Sequence, residues 1–151
     1  MKHLALVLVA AVSVGGCATE DGARMGLFSA TAPVVAILQD DLFLGEAVGY
    51  LDRTGTIEMK STLNPDLKCV GSFQYSGSRT GHASVRCNDG AEAALSFNAL
   101  GPLSGYGYGK SSRGPASFTY GLTAEEAAQY LTIPSGKRLI KRPEGPRLVS
   151  S

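Results

Sequence analysis

Between residues 33 and 121 the hydrophobic and polar positions keep a strand rhythm, broken at short intervals by turn residues. Residues 33–39 form one apolar run, and residues 42–51 form another, interrupted by Gly45 and Gly49. Asp52-Arg53-Thr54-Gly55 reads as a turn. From Thr56 the chain alternates, with Ile57 and Met59 on one face and Thr56, Glu58 and Lys60 on the other. Gly101-Pro102 turns it into residues 104–110, where Gly105, Gly107 and Gly109 alternate with Tyr106 and Tyr108. A phosphate cradle uses such glycines but opens a helix. Here residues 111–114 and a further strand over 116–120 follow, so the bare face predicts a coiled strand or a close backbone approach. Thr123-Ala124-Glu125-Glu126 is a capping box that starts a helix running to about Leu131, before Pro134. Its apolar stripe of Ala127, Ala128, Tyr130 and Leu131 is suited to lie against the sheet or close a barrel mouth. The expected fold is all-β: a small antiparallel meander or barrel of seven or eight strands with one C-terminal helix, closed so that no edge is exposed.

The first sixteen residues follow a different pattern. Lys2 precedes an apolar run over residues 4–14, about half the ~20 residues a membrane-spanning helix needs. Small residues then meet a cysteine in Val14-Gly15-Gly16-Cys17. This resembles the lipobox of bacterial lipoproteins, which implies a signal peptide over 1–16 and lipid attachment at Cys17. With two or three acyl chains the anchor is firm, and the membrane becomes a partner through it. Ala18, where an Asp would suggest inner-membrane retention, implies the periplasmic face of an outer membrane. The resulting division is a lipidated tether over 17–32, a barrel-like domain over 33–135 and a basic, mobile tail over 136–151. Removing Cys17 from the three cysteines leaves Cys69 and Cys87, an even pair in an oxidising compartment, where a disulfide is expected. Two free thiols or a metal pair are the rival readings. A zinc site needs four ligands, and His82 is the sole histidine after residue 16, so no metal is expected.

Setting Cys69 opposite Cys87 in an antiparallel hairpin makes a register that can be checked. Gly71 then faces Val85, Phe73 faces Ala83 and Tyr75 faces Gly81, with the loop on residues 76–80. The cysteines and apolar residues share one face, while Ser72, Gln74, His82, Ser84 and Arg86 share the other; a slip of one residue would exchange them. In the next hairpin a three-residue loop, Asn88-Asp89-Gly90, brings Ala91, Ala93, Leu95 and Phe97 inward and puts Gly90 in a left-handed position. A two-residue loop would instead bury Glu92. The first arrangement is therefore expected, and the two hairpins share a strand.

Composition narrows the function classes. The 151 residues suffice for one domain, and 44% hydrophobic with 18% charged residues is a globular balance. A net charge of +1 argues against a nucleic-acid partner. Charge is uneven, however: residues 136–151 carry Lys137, Arg138, Lys141, Arg142 and Arg147 against Glu144 alone. Such a tail suits an anionic envelope polymer or lipid. A Ser-His-Asp set would need His82, which the register puts on a solvent face, and no strained Gly-x-Ser-x-Gly elbow accompanies it. Asp40-Asp41, the candidate carboxylate pair for glycoside chemistry, reads as turn residues. No dinucleotide or metal constellation appears, so neither catalytic residue nor cofactor is assigned. Cys69-x-Gly71-x-Phe73, Cys87-x-Asp89-Gly90, Gly105-Tyr106-Gly107 and Phe118-Thr119-Tyr120-Gly121 together resemble small β-rich envelope lipoproteins of unassigned activity. The polar hairpin tip of Ser76, Gly77, Ser78 and Arg79 is similar to loops that membrane-bound lysozyme-inhibitor lipoproteins insert into an active site. The expectation is a lipid-anchored, non-catalytic envelope protein with a structural or binding role. Its alternative is a binder or inhibitor of a periplasmic hydrolase acting through residues 76–80.

Overall fold

A computed structural model describes residues 23–151; Cys17 and the signal peptide expected over 1–16 lie outside the described residues. The chain runs β1 (Arg24–Met25), β2 (Ser29–Leu38), β3 (Asp41–Tyr50), β4 (Thr54–Ser61), β5 (Lys68–Tyr75), β6 (Thr80–Cys87), β7 (Glu92–Gly101), β8 (Ser104–Ser111) and β9 (Gly114–Tyr120). A helix, α1 (Ala124–Ala127), then precedes β10 (Lys137–Ile140) and β11 (Arg147–Ser150). Each strand from β2 to β8 pairs antiparallel with the next, and β9 pairs with β2, so eight strands close a barrel. The pairings Cys69 with Cys87, Phe73 with Ala83 and Tyr75 with Gly81 follow the alternation of the sequence. So do Val85 with Ala93 and Ala83 with Leu95 in the next hairpin. Gly90, at φ 91°, takes the left-handed turn position that favours a residue without a Cβ. Cys69 and Cys87 are disulfide-bonded.

Inside the barrel, rings lie over bare backbone. Phe73 is paired with Gly55, Phe97 with Gly81, Phe118 with Gly107 and Tyr120 with Gly105. A Cβ at any of these four glycines would overlap the ring beside it. The Gly-Tyr alternation of β8 therefore turns its glycines inward to admit rings from β9. Its tyrosines face outward, and Tyr106 stacks on Tyr130 with centroids 4.5 Å apart.

From Ala32 on, β2 is apolar because both of its faces are covered. Val34, Ala36 and Leu38 join the barrel core, while Val35 and Ile37 face outward into a second cluster with Leu42, Ala127 and Leu131. The helix thus lies on the outer wall. Its capping box is formed: the Thr123 hydroxyl accepts from the Glu126 N–H and Glu126 accepts from the Thr123 N–H. It is shorter than the sequence suggests, ending at Ala127 rather than near Leu131. Beyond it the N–H groups of Gln129 and Tyr130 bond three residues back, a tighter turn that presents Leu131 to the wall.

Two further segments differ from expectation. Residues 136–151, read as a mobile tail, contain the β10–β11 hairpin, with Leu139 paired to Leu148 and both packed on the outer cluster. Burial of that leucine pair holds the segment, and its basic residues lie around it. The first barrel strand starts at Ser29, four residues before the boundary read from Pro33, because residues 29–32 continue the pairing with β3. Asp41 also moves: only Gln39 and Asp40 form the turn, and Asp41 opens β3 opposite Leu38.

Candidate ligand-binding site

The two barrel ends are built from different residues. At one end, turns 39–40, 62–67, 88–91 and 112–113 are tied by polar contacts. The Asn88 amide donates to the Asp66 carbonyl at 2.7 Å, Ser61 donates to Asp41 at 2.9 Å, and Arg113 pairs with Asp89. The disulfide and small residues such as Ala91 and Ala93 fill the barrel behind them. At the other end, turns 51–53, 76–79 and 102–103 surround an opening into a cavity of about 230 Å³. Phe73, Tyr75, Phe97, Phe118 and Tyr120 line it together with Ala32, Ala47, Ile57 and Ala83. Met25, Leu27, Phe28 and Leu51 form an apolar collar, with Leu27 85% and Leu51 77% exposed.

Polar groups at this end are few. The Tyr75 and Tyr120 hydroxyls lie 3.4 Å apart inside the barrel. Burial first, and then the hydrogen bond with Tyr75, pushes the Tyr120 phenol far above its ordinary range, so it stays protonated. Arg53 lies over the Tyr75 ring, 4.8 Å from its centroid, and donates to the Gly77 and Ser78 carbonyls. Arg79 donates to the carbonyls of Ala99 at 3.2 Å and Leu100 at 2.9 Å. An open shelf carrying both arginines adjoins the cavity and shares Tyr50, Arg53, Tyr75 and Pro102 with it. Asp52, next to Arg53 in sequence, is engaged elsewhere. The Thr54 hydroxyl and N–H both donate to it and hold its carboxyl below the ordinary value.

Of the residues singled out from sequence, Ser76, Gly77, Ser78 and Arg79 form the exposed loop between β5 and β6, at the cavity mouth. The loop does not stand free: Arg53 holds two of its carbonyls. His82 is exposed on the outer wall, its Nδ1 3.4 Å from the Ser96 hydroxyl. Cys69 and Cys87 are buried in the barrel core, away from the mouth. From sequence Arg53 reads as an ordinary turn residue, whereas Met25, Leu27 and Phe28, within the expected tether, leave room for a short docked segment, and they form the collar. The signal for the collar was present: three large apolar residues in a polar stretch. For Arg53 it was a charged residue where the turn wants glycine or asparagine, visible only once φ is known.

No family model and no curated protein matches the chain. Among solved structures it is similar to a redesigned β-barrel, mFAP1, whose structure was determined bound to DFHBI. The likeness has a TM-score of 0.52 and 15% identity over 61% of this chain and 92% of that one. It is a likeness of fold.

Proposed function

We propose that this protein is a lipid-anchored, non-catalytic component of the cell envelope that binds a small apolar molecule in the mouth of its barrel. The observation that carries the reading is the cavity of about 230 Å³, walled by five aromatic rings and opening through an apolar collar. Among the described residues, its lining holds no carboxylate, imidazole or thiol, which favours binding over turnover. Anchoring is supported by Val14-Gly15-Gly16-Cys17 and implies the periplasmic face of an outer membrane. Cys17 precedes Arg24 by seven residues, a reach of at most about 25 Å. β1 pairs with the start of β2 on the collar side, so a lipid on Cys17 keeps the mouth close to the bilayer.

Two measurements test this. Mass spectrometry of the membrane fraction is expected to find an acylated N-terminus at Cys17, with Cys17→Ser released from the membrane. A mature-length chain from Ala18, which retains every residue of both cores, is expected to bind the neutral dye N-phenyl-1-naphthylamine at one saturable site. Ala47→Leu, which fills the cavity, is expected to abolish that signal while leaving the circular dichroism unchanged. Absence of saturable dye binding would remove the binding reading. The alternative, inhibition of a periplasmic hydrolase by residues 76–80, is favoured by the exposure of that loop and its fixing by Arg53. It requires lysozyme inhibition that Ser76→Ala and Arg79→Ala weaken.

A further inference from the structure

We infer that the barrel accepts the hydrocarbon chain of a free fatty acid, whose carboxylate is held at the mouth by Arg53 and Arg79. This rests on the binding reading above and names the ligand class for it. Three features of the mouth combine. The first is the cavity of about 230 Å³, the size of a single short hydrocarbon chain. At roughly 30 Å³ for a group the size of a water molecule, it takes about eight methylenes.

Charge gives the second feature. Among the described residues the ion pairs are Arg24 with Glu46, Arg86 with Glu92 and Arg113 with Asp89. Among these described residues neither mouth arginine is paired with a carboxylate; both bond to neutral carbonyls. Each guanidinium carries five N–H donors, and at least one nitrogen of each remains uncommitted. Two guanidinium groups without a carboxylate partner among the described residues, beside an apolar tube, match an amphiphile with an anionic head, and their planar geometry suits a carboxylate.

The third feature is backbone strain. Arg53 sits at φ 68°, a conformation in which a glycine or asparagine is at ease and an arginine is not. Local turn energetics therefore do not select this side chain. What holds it there is contact with the Tyr75 ring and with the Gly77 and Ser78 carbonyls, where shelf and cavity meet.

The test uses the chain from Ala18 with N-phenyl-1-naphthylamine bound, and competes the dye with decanoate, decan-1-ol and decylamine at fixed ionic strength. Decanoate is expected to displace it at about tenfold lower concentration than decan-1-ol, with decylamine weakest. Arg53→Gln with Arg79→Gln is expected to erase the advantage of decanoate over decan-1-ol, whereas Arg138→Gln on the outer hairpin retains it. The ligand series needs no substitution, so it decides the matter even if the double variant misfolds. Equal displacement by the acid and the alcohol overturns the inference, as does an advantage that survives the double substitution. A monoacyl phosphate that outcompetes decanoate overturns the carboxylate assignment. Dye binding that decanoate cannot displace removes the fatty acid and leaves apolar binding standing; failure of the dye itself removes both.

Discussion

Burial governs the ionisation of Asp41. The residue is 8% exposed, and its carboxyl is raised above its ordinary value of 3.8, chiefly by desolvation, against the lowering effects of the Ser61 hydroxyl and the Arg113 charge. The folded state therefore keeps a proton that the unfolded chain has already lost. Stability falls as pH rises from 3.8 through the folded value, and at neutral pH the cost of the buried charge is fully present. Asp41→Asn keeps an acceptor for Ser61 and removes the charge. It is expected to raise the urea midpoint at pH 7, with the gain shrinking towards zero by pH 3; an unchanged midpoint at pH 7 would contradict this. The sequence reading placed Asp41 in a turn because Asp is a turn residue. Its actual place depends on a two-residue turn in which Gln39, at φ 60°, takes the left-handed position, an unfavourable choice that no propensity announces. Arg53 was illegible for the same reason, since its role appears only when Tyr75 and the 76–79 loop are brought beside it.

Hairpins were the most legible elements. In β5–β6–β7 the period-two alternation, the cysteine pair and Gly90 all specify one register, and a slip by one residue would turn the rings outward. The disulfide cross-links positions 18 apart in sequence, so the chain-entropy model assigns it roughly 3 kcal/mol. Cys69→Ala with Cys87→Ala is expected to lower the unfolding free energy by about that amount, read from urea melts. A loss near zero would mean that the hairpin is already ordered in the unfolded chain. The helix start was equally legible, because a capping box is a local contact within four residues. Its end was not. After Ala127 the helix gives way to a tighter turn that brings Leu131 onto the outer wall, and that wall is built by β2 and β3.

At the scale of the whole molecule, β10 and β11 cover an outer wall that the barrel would otherwise expose. Leu139 and Leu148 pack on the cluster containing Val35, Ile37 and Leu42. Replacing both by Ala is expected to destabilise the protein by about 2–3 kcal/mol in thermal or urea unfolding, whereas a freely mobile tail would give no change. The sequence by itself determined the all-β class, the meander, the disulfide pair and the facing of the β5–β6 and β6–β7 hairpins. These depend on neighbours along the chain, where alternation and turn chemistry act over a few residues. Tertiary structure alone decided the register in which β2 meets β9, that residues 137–150 cover the wall, and that an apolar, arginine-edged cavity lies at one end. Each of those joins positions far apart in sequence, such as Val34 with Tyr120 or Arg53 with Tyr75. Close packing selects such contacts by shape and volume, and a one-dimensional pattern of polar and apolar residues carries neither.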